Sequence, residues 1–100
     1  MSYSQLLAEA RRRKVLEVLF IAPGNRANDA ALRAVIERKI DVADRALVRA
    51  DMSYLEVHGL VRIDKLADDG DDIWIATLTD AGSAVARGRQ HIGVADRELG

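Results

Sequence analysis

The sequence predicts a single, mostly helical α+β domain with three helices, a two-stranded β-hairpin and a short C-terminal helix. Three observations lead there. The chain has 100 residues, 49% apolar and 31% charged, which is one soluble domain's worth of core. Apolar residues recur at helical spacing up to Gly59, and the spacing changes from 3.6 to 2 immediately after it. Turn-forming residues separate the periodic segments at Pro23-Gly24, at Gly59 and through Ala67 to Asp72.

The first helix runs from Ser4 to Ala22, a stretch rich in Leu, Ala, Glu and Arg, and Pro23-Gly24 stops it. At 100° per residue Val15, Leu16, Leu19 and Phe20 share one arc with Arg12 near its middle, while Tyr3, Leu6, Leu7 and Ala10 cluster almost opposite. One straight helix cannot bury both arcs in one small core. Either it bends near Arg11 to Arg13, or residues 1–10 form an extension that covers something else, most economically a second copy of the chain. Tyr3, Leu6, Leu7 and Ala10 are therefore candidate homodimer contacts.

Asn28 and Asp29 open the second helix as cap and first-turn acid, Leu32, Val35 and Ile36 form its apolar stripe, and Arg38-Lys39 suit its negative end. Ile40 to Ala43 lead to Asp44, which caps a third helix that buries Val48, Met52 and Leu55 and stops at Gly59. Two short helices so closely joined form a helix-turn-helix unit. Val61 and Ile63 begin one strand, Ile73 to Thr77 form another, and the acidic stretch between them is the turn. Thr79 and Asp80 cap a last short helix through about Arg87; residues 88–100 have no period and are expected to be a flexible tail.

This order of elements is that of a winged helix-turn-helix domain over residues 11–87, and local strings agree. Arg12-x-x-Val15-Leu16-x-x-Leu19 resembles the first helix of small bacterial regulators of that class. Tyr54-Leu55-x-x-x-Gly59-Leu60-Val61 is similar to the exit of a recognition helix, and Ala76-Thr77-Leu78-Thr79-Asp80-Ala81-Gly82 to the wing's return into the last helix. The N-terminal Met1-Ser2-Tyr3-Ser4-Gln5-Leu6-Leu7, the Ala22-Pro23-Gly24 break and Trp74 to Thr79 resemble small winged-helix proteins of Mu-like prophages. The resemblance implies a phage or prophage transcriptional regulator that binds duplex DNA. It equally admits a protein–protein adaptor of phage assembly or packaging that binds no DNA.

On the third helix, the side opposite its buried stripe carries Arg45, Ala46, Arg49, Ala50 and Ser53. Two arginines one turn apart can reach guanine edges or phosphates, and small alanines let a helix seat deeply in a major groove. The reading requires both guanidinium groups to face outward. Charge is unevenly spread: residues 1–62 carry +3 and residues 63–100 carry −4, giving −1 in total. DNA should meet the first part, and near-neutrality implies weak binding per copy, strengthened by pairing on a two-fold site.

The run Arg11, Arg12, Arg13, Lys14 encircles its helix and reads as a solvated collar, except that Arg12 points inward. Phase places Asp51 on the inner edge of the third helix, so Arg12 and Asp51 are expected to pair. The hairpin turn, with Asp68, Asp69, Asp71 and Asp72, would repel phosphate and is the natural contact for a protein partner in the adaptor reading. It is too short for a calcium-binding loop. Trp74 reads as packing, and Tyr54 and His58 as a half-buried edge. No cysteine, no metal-ligand spacing and no nucleophile constellation are present, so neither enzyme activity nor a cofactor is expected. No apolar run approaches membrane length and no signal peptide is visible, so the expected location is cytoplasmic, away from membranes.

Overall fold

The structure is a computed structural model that describes residues 2–39, 44–68 and 71–97. It is an α+β fold with helices α1 (Tyr3–Ile21), α2 (Asp29–Lys39), α3 (Arg45–Val57) and α4 (Asp80–Ala86). Strands β1 (Arg26–Asn28), β2 (Val61–Asp68) and β3 (Asp71–Leu78) form one antiparallel sheet in the order β1-β3-β2. The link Ile40 to Ala43, the hairpin tip Asp69-Gly70 and residues 98–100 lie outside the described residues.

Local chemistry sets the element ends. Ser2 and Gln5 form a reciprocal capping box at the start of α1. Asn28, Asp44 and Thr79 accept backbone N–H bonds from Ala31, Leu47 and Gly82 with their side-chain oxygens, which starts α2, α3 and α4. Gly59, at φ 75°, turns the chain out of α3 into β2.

Three expectations are corrected. The sheet has three strands, because Arg26–Asn28 pairs with Thr77, Ala76 and Ile75 along the free edge of β3. A three-residue strand has no periodicity to read; it forms only because β3 offers an edge. The hairpin is also longer than its apolar runs, with Val61 facing Leu78 and register held to Asp68 facing Asp71. Finally, residues 88–97 are no loose tail but pack along α1, which is unbroken from Tyr3 to Ile21. Val94 is buried in the core, Ala95 N–H donates to the Glu9 carbonyl, Arg12 Nη1 donates to the Gly93 carbonyl and Arg13 Nε to the Ala95 carbonyl. This segment occupies part of the space expected to need a second copy. Leu7 and Ala10 are half-buried, whereas Tyr3 and Leu6 remain 76% and 51% exposed.

The core joins Val15, Leu16 and Leu19 of α1, Leu32 and Ile36 of α2, Val48, Met52 and Leu55 of α3, and Ala76 of β3, all fully buried. Gly93 is where the C-terminal segment passes Tyr54. Its φ is +80°, and a Cβ there would run into the Tyr54 ring. Gly93→Ala should lift the segment from α1, costing about 1–3 kcal/mol. The check is hydrogen exchange: the Ala95 amide should lose protection while amides of α2 keep theirs.

Candidate functional site

The candidate site is the exposed side of α3 and its junction with the hairpin. Arg45, Ala46 and Ala50 are exposed, and Arg49 and Ser53 half-buried, so these five residues lie together on the solvent side of α3. Val57 extends the strip at 83% exposure. The inner stripe of Val48, Met52 and Leu55 is fully buried, which is what turns the opposite side outward.

The expectation of two free guanidinium groups is corrected. Arg49 Nε donates to Asp29 Oδ2 at 2.7 Å and Arg45 Nε to the same oxygen at 3.2 Å. Nη2 of each donates to the Asp72 carbonyl at 2.7 Å. Arg49 also lies over the Trp74 ring at 4.7 Å from its centroid, where Lys65 Nζ approaches at 4.3 Å. Two arginines, one carboxylate and one backbone carbonyl therefore fasten α2, α3 and β3 together. The guanidinium groups hold fixed positions, their side chains still 44% and 21% exposed, and Asp29 cancels one of their two charges.

Asp29 is fully buried. Burial alone would raise its pKa, but hydrogen bonds from Arg49 and Arg45, together with their charges, outweigh that and hold the carboxyl below the ordinary carboxylate value. Asp29 was legible in the sequence as a first-turn acid only. Its spacing to Leu32 and Ile36, three and seven residues, puts it on the buried stripe of α2 and could have revealed it.

Across the core from this cluster, Arg11 is the closest partner of Asp51, with Nε at 2.6 Å from Oδ2. Arg12 Nε comes within 3.3 Å of Oδ1 as expected, but without hydrogen-bond alignment, and it finds no other acceptor. The rest of that guanidinium bonds the Gly93 carbonyl and covers the Tyr54 ring at 3.7 Å. Burial pushes the Asp51 carboxyl up, against the pull of Arg11 and Arg12. The solvated collar is thus corrected: Arg11 and Arg13 are more deeply buried than Arg12, and Arg13 Nη1 donates to the Val85 carbonyl near the end of α4. Arg11 stands four and eight residues before Val15 and Leu19, on their stripe, so this too could have been read.

Tyr54 and His58 stack at 4.3 Å between ring centroids, and His91 of the C-terminal segment meets His58 edge-on at 5.2 Å. Tyr54 Oη donates to the Ile92 carbonyl. These rings bind the chain to itself. Among the described residues no cluster of His, Asp or Glu is placed to hold a metal ion, and no helix is long and apolar enough to cross a membrane. Compared with known proteins, the chain matches no family model and no curated protein sequence.

Proposed function

We propose that the chain is a winged helix-turn-helix protein that binds duplex DNA through the exposed side of α3, in the setting of a phage or prophage regulator. The observation that carries this reading is the placement of Arg45 and Arg49. They lie one turn apart on the solvent side of a helix, flanked by small Ala46 and Ala50, with Nε and Nη2 of each already anchored. With those anchors in place, Nη1 is the nitrogen left to meet a phosphate or a base edge. An arginine held in this way loses less side-chain entropy on binding. The same anchors limit affinity, because the pair and Asp29 together carry a single net positive charge. Binding should therefore be weak, with a salt slope of only about −1 to −2 per copy.

The adaptor reading is favoured by a different feature: Asp29 neutralises the arginines and the hairpin turn is acidic in sequence, which would attract a basic protein more readily than DNA. Arg45→Ala and Arg49→Ala discriminate poorly, since each removes a counter-charge from buried Asp29 and disturbs the fold. Ala46→Glu and Ala50→Glu are cleaner. Both side chains are exposed, so stability should change by less than about 0.5 kcal/mol. Titration with mixed-sequence duplex at two salt concentrations should give salt-sensitive binding by the natural chain and its loss in both variants. If the natural chain fails to bind at low salt, or the glutamates leave binding intact, α3 is no DNA-binding helix and the adaptor reading stands.

A further inference from the structure

The chain has two histidines, and the fold brings them together where the C-terminal segment crosses the end of α3. His58 is exposed and closes α3 as its C-cap, its backbone N–H donating to the Tyr54 carbonyl. His91 is half-buried, and its carbonyl accepts from the N–H of Val94, whose side chain is buried in the core. Both are thus mounted on backbone that packing holds in place. Their ring centroids stand 5.2 Å apart, with the ring planes at 87°.

Hydrogen bonding decides which ring nitrogens are free. His91 Nδ1 lies 2.8 Å from the Ile92 carbonyl oxygen. A carbonyl oxygen only accepts, so Nδ1 carries the proton and Nε2 of the neutral ring keeps its lone pair. Among the described residues Nε2 has no partner, neither ring nitrogen of His58 has one, and neither imidazole is ion-paired. A backbone carbonyl that holds one ring nitrogen while leaving the other bare is the means by which proteins orient an imidazole toward a metal ion. The spacing fits too. With bonds of about 2.0–2.1 Å and a tetrahedral angle between them, two imidazoles on one zinc ion have centroids about 5 Å apart. At its exposed position the His58 ring needs only a side-chain rotation to aim a nitrogen at the same ion.

We propose that His58 and His91 form a two-imidazole site for a divalent transition-metal ion of the zinc class, which clamps the C-terminal segment to α3. Nitrogen donors select zinc over magnesium and calcium, which take oxygen. No third His, Asp or Glu joins the pair among the described residues, so water fills the ion's other positions. Arg12, over the neighbouring Tyr54 ring, adds a positive charge that Asp51 offsets. An ion held by both rings binds the docked segment and not the lifted one, so it should suppress the segment's opening. The site does not depend on the DNA reading.

The test is isothermal titration calorimetry with zinc chloride, and with magnesium chloride as control, on the natural chain, His58→Asn and His91→Asn, each shown to be folded by circular dichroism. The natural chain should bind one zinc ion and no magnesium. His58→Asn, at an exposed position, should lower zinc affinity at least about tenfold, the cost of losing even an outer partner of a metal ligand, and His91→Asn should do the same. With zinc at about ten times its Kd, hydrogen exchange at the Ala95 amide should slow about tenfold in the natural chain and stay unchanged in His58→Asn. A natural chain that binds no zinc overturns the proposal. So does zinc binding that survives His58→Asn undiminished, which marks an adventitious ion elsewhere, and exchange at Ala95 unmoved by zinc overturns the clamp.

Discussion

Asp29→Asn should melt about 10 °C below the natural chain and, under the proposed DNA-binding function, should yet bind duplex DNA more tightly. The loss follows from burial: the carboxylate is fully enclosed and accepts charged hydrogen bonds from two arginines. An amide of the same shape keeps a fraction of that attraction, so the cost is about 2 kcal/mol, and in a domain of this size each kcal/mol shifts the midpoint by about 4–8 °C. The gain follows from charge. With the neutralising carboxylate gone, Arg45 and Arg49 present two positive charges, and the salt slope should steepen by about 1, with affinity at low salt rising about threefold to tenfold. Stability and binding thus move in opposite directions, an outcome that general unfolding cannot mimic. The pH dependence has a definite sign. A carboxyl whose native pKa is depressed contributes stability that is fully present above its ordinary value of 3.8 and is lost as pH falls through the native value. The gap between the natural chain and Asp29→Asn should be constant near neutrality and should close only in strong acid. Equal melting midpoints would show that the cluster does not brace the fold, and unchanged duplex affinity would detach Asp29 from DNA binding.

Arg11→Met should be strongly destabilising at neutral pH, costing about 3 kcal/mol and about 15 °C in melting midpoint. It leaves Asp51, 2% exposed, with Arg12 as its nearest cation at 3.3 Å and without an aligned hydrogen bond. The native pKa of Asp51 is already raised by burial, so the stability linked to its protonation is fully present below 3.8 and is lost as pH rises through the native value. Removing the closest guanidinium raises that value further. The deficit of Arg11→Met should therefore be widest at neutral pH and narrow on acidification, the reverse of the Asp29 case. The double variant Arg11→Met, Asp51→Leu should recover most of the loss, because replacing a buried ion pair whole is far less costly than breaking it. A deficit that does not vary with pH would show that the burden on Asp51 is not electrostatic.

The four helices and the hairpin were legible because each rests on interactions close in sequence. Ser2, Asn28, Asp44 and Thr79 cap with their own side chains, and Val48, Met52 and Leu55 declare a face by spacing alone. The outward placement of Arg45, Ala46, Arg49, Ala50 and Ser53 followed from the same spacing. The third strand was not legible, since Arg26–Asn28 carries no pattern and owes its conformation to a neighbour some fifty residues away in β3. Nor was the C-terminal segment, whose hold on α1 comes from backbone carbonyls of Gly93 and Ala95 meeting Arg12 and Arg13. Backbone acceptors are identical at every position, so no residue type announces them.

Sequence alone determined the four helices and the two hairpin strands, and the apolar side of those with a clear period, because propensity, capping and period act within a few residues. Tertiary structure alone decided where the charges ended up: Arg11 on Asp51, Arg45 and Arg49 on Asp29 and the hairpin backbone. An arginine side chain reaches far enough to choose among several partners, and the choice depends on which carboxylates and carbonyls the packed elements bring within hydrogen-bond distance once water has been expelled.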